Sequence, residues 1–208
     1  MERERPPTTG MPDELQDAIQ RCLENDADAF GEIVDAYERQ MYNLAYRMLG
    51  DPEEARDATQ DIFIKVHHTL DTFRFQSKFS SWMYRVAMNT LIDYRRRWLR
   101  HPLKRLEDLL ATDRSHPRAT APQPDEQVLR NERVKAVRVA VAQLPVKLRA
   151  AVVLRDLHEL SYAEISEVLG VTEGTVASRL NEARRQLARR LRRSFPIHGV
   201  PALPRETS

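Results

Sequence analysis

Seven side chains between 175 and 185 carry polar or charged groups at helical spacing: Thr175, Ser178, Arg179, Asn181, Glu182, Arg184 and Arg185. A helix through them sets Ser178, Asn181, Glu182 and Arg185 on one outer face beside the small Ala177, with Arg179 and Arg184 flanking it. Asn suits the adenine edge and Glu can accept from cytosine, while the flanking arginines suit phosphates. The opposite face, Val176, Leu180, Ala183 and Leu187, is apolar at i, i+4, i+7, i+11 and belongs to a core. Farther on, Arg189, Arg190, Arg192 and Arg193 extend the positive charge. What must position this face lies just upstream. Ser161 and Glu164 form a capping box for a first helix with Ile165, Val168 and Leu169 on its apolar side. Gly170 can end that helix in the left-handed conformation, Val171 plugs the turn, and Thr172 caps the next. Two helices at a short Gly turn make a helix-turn-helix, whose second helix enters the major groove of duplex DNA.

A second set of candidates lies in the first half. Asp51-Pro52-Glu53-Glu54 opens a helix that buries Ala55, Ala58, Thr59, Ile62, Phe63 and Val66 and turns Asp57, Gln60, Asp61 and Lys65 outward. The period then breaks over 70–81, where Phe73, Phe75 and Phe79 stand among serines beside Arg74 and Lys78. Exposed aromatics next to cations suit the stacking of unpaired bases, although Phe79 reads better as core. The helix over 79–97 points Met83, Val86, Ala87, Thr90 and Tyr94 one way, and Trp82, Arg85, Asn89 and Arg96 the other. Its closing Arg95, Arg96 and Arg97 also complement the helix dipole.

The 208 residues accommodate one large or two small domains. Residues 1–98 carry 13 Lys/Arg against 18 Asp/Glu, a balance of −5, and residues 126–208 carry 15 against 9, a balance of +6. That polarity predicts different partners for the two ends. The expected fold is all-α, two small helical domains joined by a flexible linker, the second a four-helix domain holding the helix-turn-helix. The expected boundaries are a disordered tail 1–12, a first domain 13–98, a Pro-rich linker 99–125, a second domain 126–194 and a disordered tail 195–208. In the first domain, Leu15, Ala18, Ile19, Cys22 and Leu23 form one stripe, and Phe30, Ile33, Val34, Tyr37, Met41, Leu44, Ala45 and Met48 a longer one that Gly50 ends. In the second, Val134, Val137, Val141 and Leu144 mark the first inward face, then Leu148, Ala151 and Val152 the next.

Catalysis finds little support. His67 and His68 are adjacent and diverge on a helix, and His158-Glu159 lacks the second histidine of a zinc-protease helix. No phosphate-cradling Gly loop or nucleophile motif occurs. The one cysteine, Cys22, excludes an internal disulfide. A charged, Pro-rich N-terminus and the lack of a long apolar run predict a cytoplasmic protein with no membrane insertion.

Two blocks together resemble the extracytoplasmic-function (ECF) sigma factors of bacterial RNA polymerase: DATQDIFIKVHHTLDTFRFQSKFSSWMYRVAMNTLIDYRRR at 57–97, and LPVKLRAAVVLRDLHELSYAEISEVLGVTEGTVASRLNEAR at 144–184. The resemblance spans about 13–193 and implies a non-enzyme, without cofactor or small-molecule substrate, that binds core RNA polymerase and promoter DNA and melts it. It implies that Asp57, Gln60 and Asp61 dock on a coiled coil of the largest subunit. Phe73, Arg74, Lys78, Trp82, Arg85 and Asn89 would meet the melted −10 element, Asn89 helping to hold a flipped base. Thr175, Ser178, Arg179, Asn181, Glu182, Arg184 and Arg185 would read the −35 element. An anti-sigma factor is a further implied partner. The chain departs from its relatives at Phe75, often Gly or small and polar, at Ser166, usually Ala, and at Ala177 and Glu182, frequently basic. A helix-turn-helix regulator that works without polymerase is the alternative; it would leave the 57–89 block without a purpose.

Overall fold

The computed structural model describes residues 13–24, 26, 28–99 and 125–194. The expected tails, and all of the expected linker but its two end residues, lie outside the described residues. Among the described residues every regular element is helical. The first half holds α1 (Asp13–Leu23), α2 (Ala29–Leu49), α3 (Pro52–Thr69) and α4 (Phe79–Leu99). The second half holds α5 (Asp125–Ala142), α6 (Val146–Val152), α7 (Tyr162–Leu169) and α8 (Glu173–Ser194).

Local chemistry sets the boundaries. Gly50, at φ 91, ends α2 by returning its N–H to the carbonyl of Tyr46 at 2.8 Å. The Asp51 carboxylate accepts from the N–H groups of Glu53 and Glu54, both at 2.9 Å, and so caps α3 ahead of Pro52. A short 3-10 turn, Leu70–Thr72, carries the chain toward α4. On the far side α6 runs into a π-helical turn, Val153–Leu157, closed by the N–H of His158 on the carbonyl of Val153 at 3.2 Å.

The two halves do not stand apart. One continuous core joins Ile33, Met41 and Met48 of α2 and Met83, Met88 and Leu91 of α4 to Leu144, Val153, Ile165 and Leu180 of the second half. α4 packs on α7, and α2 packs on α5 and α6. At the seam lies Arg149, wholly buried. Its Nη1 donates to the carbonyl of Met48 at 2.5 Å, and its Nη2 to the carbonyls of Leu144, at 3.2 Å, and Ala142. Burial, with Arg95 adding, lowers its pKa to about 9, so it remains a cation at neutral pH.

Two expectations about the core fail. Val134 and Val137 are exposed rather than inward, because α5 meets its neighbours through its C-terminal end, where Ala140 and Val141 are buried. Trp82 is 5% exposed and Phe73 4%, so neither lies on the outer surface. α4 is apolar on two sides: Phe79, Met83 and Ala87 form one stripe, and Tyr84, Met88 and Leu91 a second that the sequence pattern did not separate. Trp82 falls between the first stripe and the Phe73 loop, and is covered.

Replacing Arg149 with Ala strands three carbonyls and leaves a void; Arg149→Ala is expected to lose roughly 3 kcal/mol in urea unfolding. Arg149→Lys keeps the charge without the planar fork and should recover only part of that loss.

Candidate nucleic-acid interface

The helix-turn-helix is built as its sequence implies. Ser161 Oγ accepts from the N–H of Glu164 at 3.2 Å, and Glu164 Oε2 accepts from the N–H and the hydroxyl of Ser161, each at 2.9 Å. Gly170 turns at φ 61, and the N–H of Val171 reaches the carbonyl of Ser166 at 3.1 Å. Thr172 Oγ1 caps α8 by accepting from the N–H of Thr175 at 3.2 Å. Val176, Leu180 and Ala183 are buried and Leu187 half-buried, which turns the opposite face of α8 to solvent.

On that face Ser178, Asn181, Arg184 and Arg185 are exposed, and Thr175, Arg179 and Glu182 half-buried. Several are already engaged. The Thr175 hydroxyl pairs with Thr172 at 2.9 Å, and that of Ser178 donates to the carbonyl of Thr175 at 2.9 Å. Glu182 accepts from Gln186 at 2.8 Å and pairs with Arg185 at 2.9 Å, which hold its carboxyl below the usual range, Gln186 most. Arg184 meets Asp156 at 2.9 Å and so ties α8 to the π-helical turn. Asn181 is thus an exposed amide at the middle of the face, with apolar packing directly behind it.

In the first half, Arg74, Lys78, Arg85 and Asn89 are exposed as expected. Phe73 and Trp82 are corrected: they belong to an internal aromatic cluster. Phe73 lies 5.2 Å from Phe79 and 5.7 Å from Trp82, and Phe79 stacks on Trp82 at 5.5 Å with 29° between planes. Burying this much aromatic surface outweighs leaving it in water for a ligand. Phe79 is core, as expected. Phe75 packs half-buried 4.7 Å from Phe73 with φ 55. That left-handed backbone suits glycine better than phenylalanine. Lys78 donates to Glu164 Oε1 at 3.0 Å, linking the loop to the helix-turn-helix. The Ser161 N–H and then Lys78 hold the Glu164 carboxyl at about 2.

On α3, Asp57 and Gln60 are exposed, and Asp61 reaches Arg97 of α4 at 3.8 Å. Ile64, one turn on from Gln60 and Asp61, is 56% exposed. The sequence reading passed over it; its signal was an isoleucine off the stripe of Ile62, Phe63 and Val66. Among the described residues no group of three His, Cys, Asp or Glu could hold a metal, and no helix is long and apolar enough to cross a membrane.

Comparison with known proteins bears on both halves. Residues 33–100 match the family described as Sigma-70 region 2, and residues 135–187 match Sigma-70, region 4. The chain is 36% identical over 183 residues to the ECF RNA polymerase sigma factor SigW of Bacillus subtilis, covering 86% of this chain and 97% of that one. This chain is an ECF RNA polymerase sigma factor. It is also 37% identical over 166 residues to SigM of Mycobacterium tuberculosis, with 80% of this chain and 79% of SigM covered. Among solved structures, CnrH in complex with the cytosolic domain of CnrY shares the fold, with TM-score 0.62, 20% identity, 88% of this sigma factor and 100% of CnrH. The sigma factor RpoE of Bartonella quintana, solved with the anti-sigma factor NepR, gives TM-score 0.56 at 21% identity, with 78% of this chain and 96% of that one covered.

A carboxyl held at about 2 against an ordinary 4.5 contributes stability that is complete above pH 4.5 and lost as the pH falls toward 2. Glu164→Gln is therefore expected to cost about 1 kcal/mol at pH 7 through the weakened cap. Its melting temperature should fall less steeply than that of the native chain between pH 4.5 and 2.

Proposed function

We propose that this sigma factor binds core RNA polymerase through Asp57, Gln60 and Asp61, with Ile64 as an apolar neighbour, and directs it to promoters with two DNA elements. The observation that carries this reading is the pairing, in one chain, of an exposed acidic face on α3 with an exposed polar face on α8. Arg74, Lys78, Arg85 and Asn89 take the melted −10 element. Phe73 and Trp82 act from below, as the packed base of that surface. Thr175, Ser178, Arg179, Asn181, Glu182, Arg184 and Arg185 form the −35 face, with Asn181 reading a base edge and Arg184 and Arg185 meeting phosphates once they leave Asp156 and Glu182. The protein acts in the cytoplasm, does no chemistry on a bound substrate, and is held in check by an anti-sigma factor. The domains proposed for these tasks are 13–98 and 126–194.

Run-off transcription with purified core polymerase tests the reading: the native chain should start transcripts from specific promoters and bind no specific DNA alone at physiological salt. Tight, specific binding by the isolated chain would favour the polymerase-independent regulator. Asp57→Lys with Asp61→Lys should abolish transcription and co-purification with core while changing stability by no more than about half a kcal/mol, since both residues lie off the apolar stripe. Co-purification at the native level would refute the assignment of this face.

The −35 reading has its own test. Asn181→Ala is expected to cost about 1–3 kcal/mol and to flatten the preference at one A·T pair, measured on a randomised −35 library. Unchanged base preferences would show that α8 enters the groove in another orientation.

A further inference from the structure

The seam between the halves contains one histidine among the described residues. His158 follows the π-helical turn, and Glu159 then reverses the chain at φ 57. Its Nδ1 lies 3.0 Å from Tyr84 Oη on the second stripe of α4, with the rings edge to face at 5.3 Å. Tyr84 Oη also lies 3.4 Å from Gln40 Oε1 of α2. Burial, with Tyr37 adding, pushes the Tyr84 hydroxyl up to about 12, so it remains a phenol. A neutral imidazole with its lone pair on Nδ1 accepts that proton.

We propose that the His158–Tyr84 contact is an acid-sensitive latch between the two halves: neutral His158 strengthens their closure, and protonation of His158 weakens it. The hydrogen bond alone would not enforce this, because Tyr84 can turn its proton to Gln40 and accept from an imidazolium. The surroundings enforce it. Burial disfavours the imidazolium first, and Arg47 of α2 repels it second. Among the described residues no carboxylate offsets these at the ring: on its own segment Asp156 is engaged by Arg184, Arg155 donates to the carbonyl of Leu160 at 2.8 Å, and Glu159 is exposed. Once the halves part, His158 stands in water and titrates near its ordinary 6.5. The open form therefore binds more protons than the closed form just below pH 6.5. Closure is complete in strength above that pH and weakens as the pH falls through it.

The other ties do not titrate in this range. Arg149 stays a cation, with its pKa at about 9, and Glu164 stays a carboxylate beside Lys78. His67 and His68 lie on α3, where His67 meets Phe30 within the first half. The consequence for promoters rests on the sigma reading, since closure pairs Lys78 of the −10 surface with Glu164 of the helix-turn-helix; the latch itself is read on the chain alone.

The test is fluorescence energy transfer on the full chain without polymerase, so its failure leaves the sigma reading standing. Dyes go on Glu38→Cys in α2 and Glu167→Cys in α7, both exposed, in a Cys22→Ser background, with circular dichroism confirming that the helices persist. Between pH 7.5 and 5.5 one proton linked to opening shifts the closed-to-open ratio by up to about tenfold. The same titration in Arg149→Lys, which weakens the buried tie that closes the seam, reports even if the native chain is closed throughout. His158→Phe, which keeps a ring in place but cannot titrate, should show no such shift. Transfer unchanged with pH in both backgrounds, or an equal fall in His158→Phe, overturns the latch.

Discussion

A single guanidinium, buried without a carboxylate partner, holds the closed arrangement together. Arg149 donates to Met48 near the end of α2 and to Ala142 and Leu144 at the end of α5. Carbonyls at a helix C-terminus lack intrahelical donors and carry the negative end of the dipole. Two such ends converging on one point need a planar, permanently charged donor, and Arg supplies it where Lys would satisfy fewer carbonyls. The cost of burying the charge shows in its lowered pKa and in Nε, which has no hydrogen-bond partner among the described residues. That cost is offset because the same contact closes the apolar seam on both sides of it, from Met48 to Val153.

Closing the seam sorts the surfaces. The acidic face of α3 stays exposed, and so does the outer face of α8. The surface proposed for the −10 element is partly taken up, since Lys78 spends its charge on Glu164, the carboxylate that also completes the cap of α7. Glu164 thus serves local helix formation and contact between halves at once. Such exposed ion pairs are weak and screened by salt, so this pair orients the seam, while the buried residues around Arg149 and Met88 supply most of its energy.

What the sequence disclosed follows from the range of the forces involved. Caps and turns are local, so the Ser161–Glu164 box, the Gly170 turn, the Asp51 cap and the Gly50 stop were legible residue by residue. The long stripes of α2 and α3 were legible as well, because each has one core to face. α4 was only half legible: a helix apolar on two sides does not announce which residue meets which neighbour, and Trp82 was set outside when it lies inside. α5 erred the opposite way, its valines at 134 and 137 having the period of a buried face and no partner to bury it. Arg149 and His158 carried no local sign of their role at the seam, since their partners across it, Met48 and Tyr84, stand 101 and 74 residues away.

The two-sided burial of α4 also explains why so few of its residues stay exposed. With Phe79, Met83 and Ala87 buried along one stripe, and Tyr84, Met88 and Leu91 along a second that meets His158 through Tyr84, a narrow strip remains, and Arg85 and Asn89 occupy it one turn apart. If the seam opens, the second stripe enters water and the strip widens to include Tyr84. Exposing Tyr84, Met88 and Leu91 costs on the order of several kcal/mol by area, which core polymerase or another partner must offset with contacts of its own. The helix proposed to meet the −10 element is therefore also the helix whose burial sets how tightly the chain stays closed. Substitutions at Met88 or Leu91 would act on closure, whereas those at Arg85 or Asn89 would act on the proposed DNA contact and leave closure unchanged.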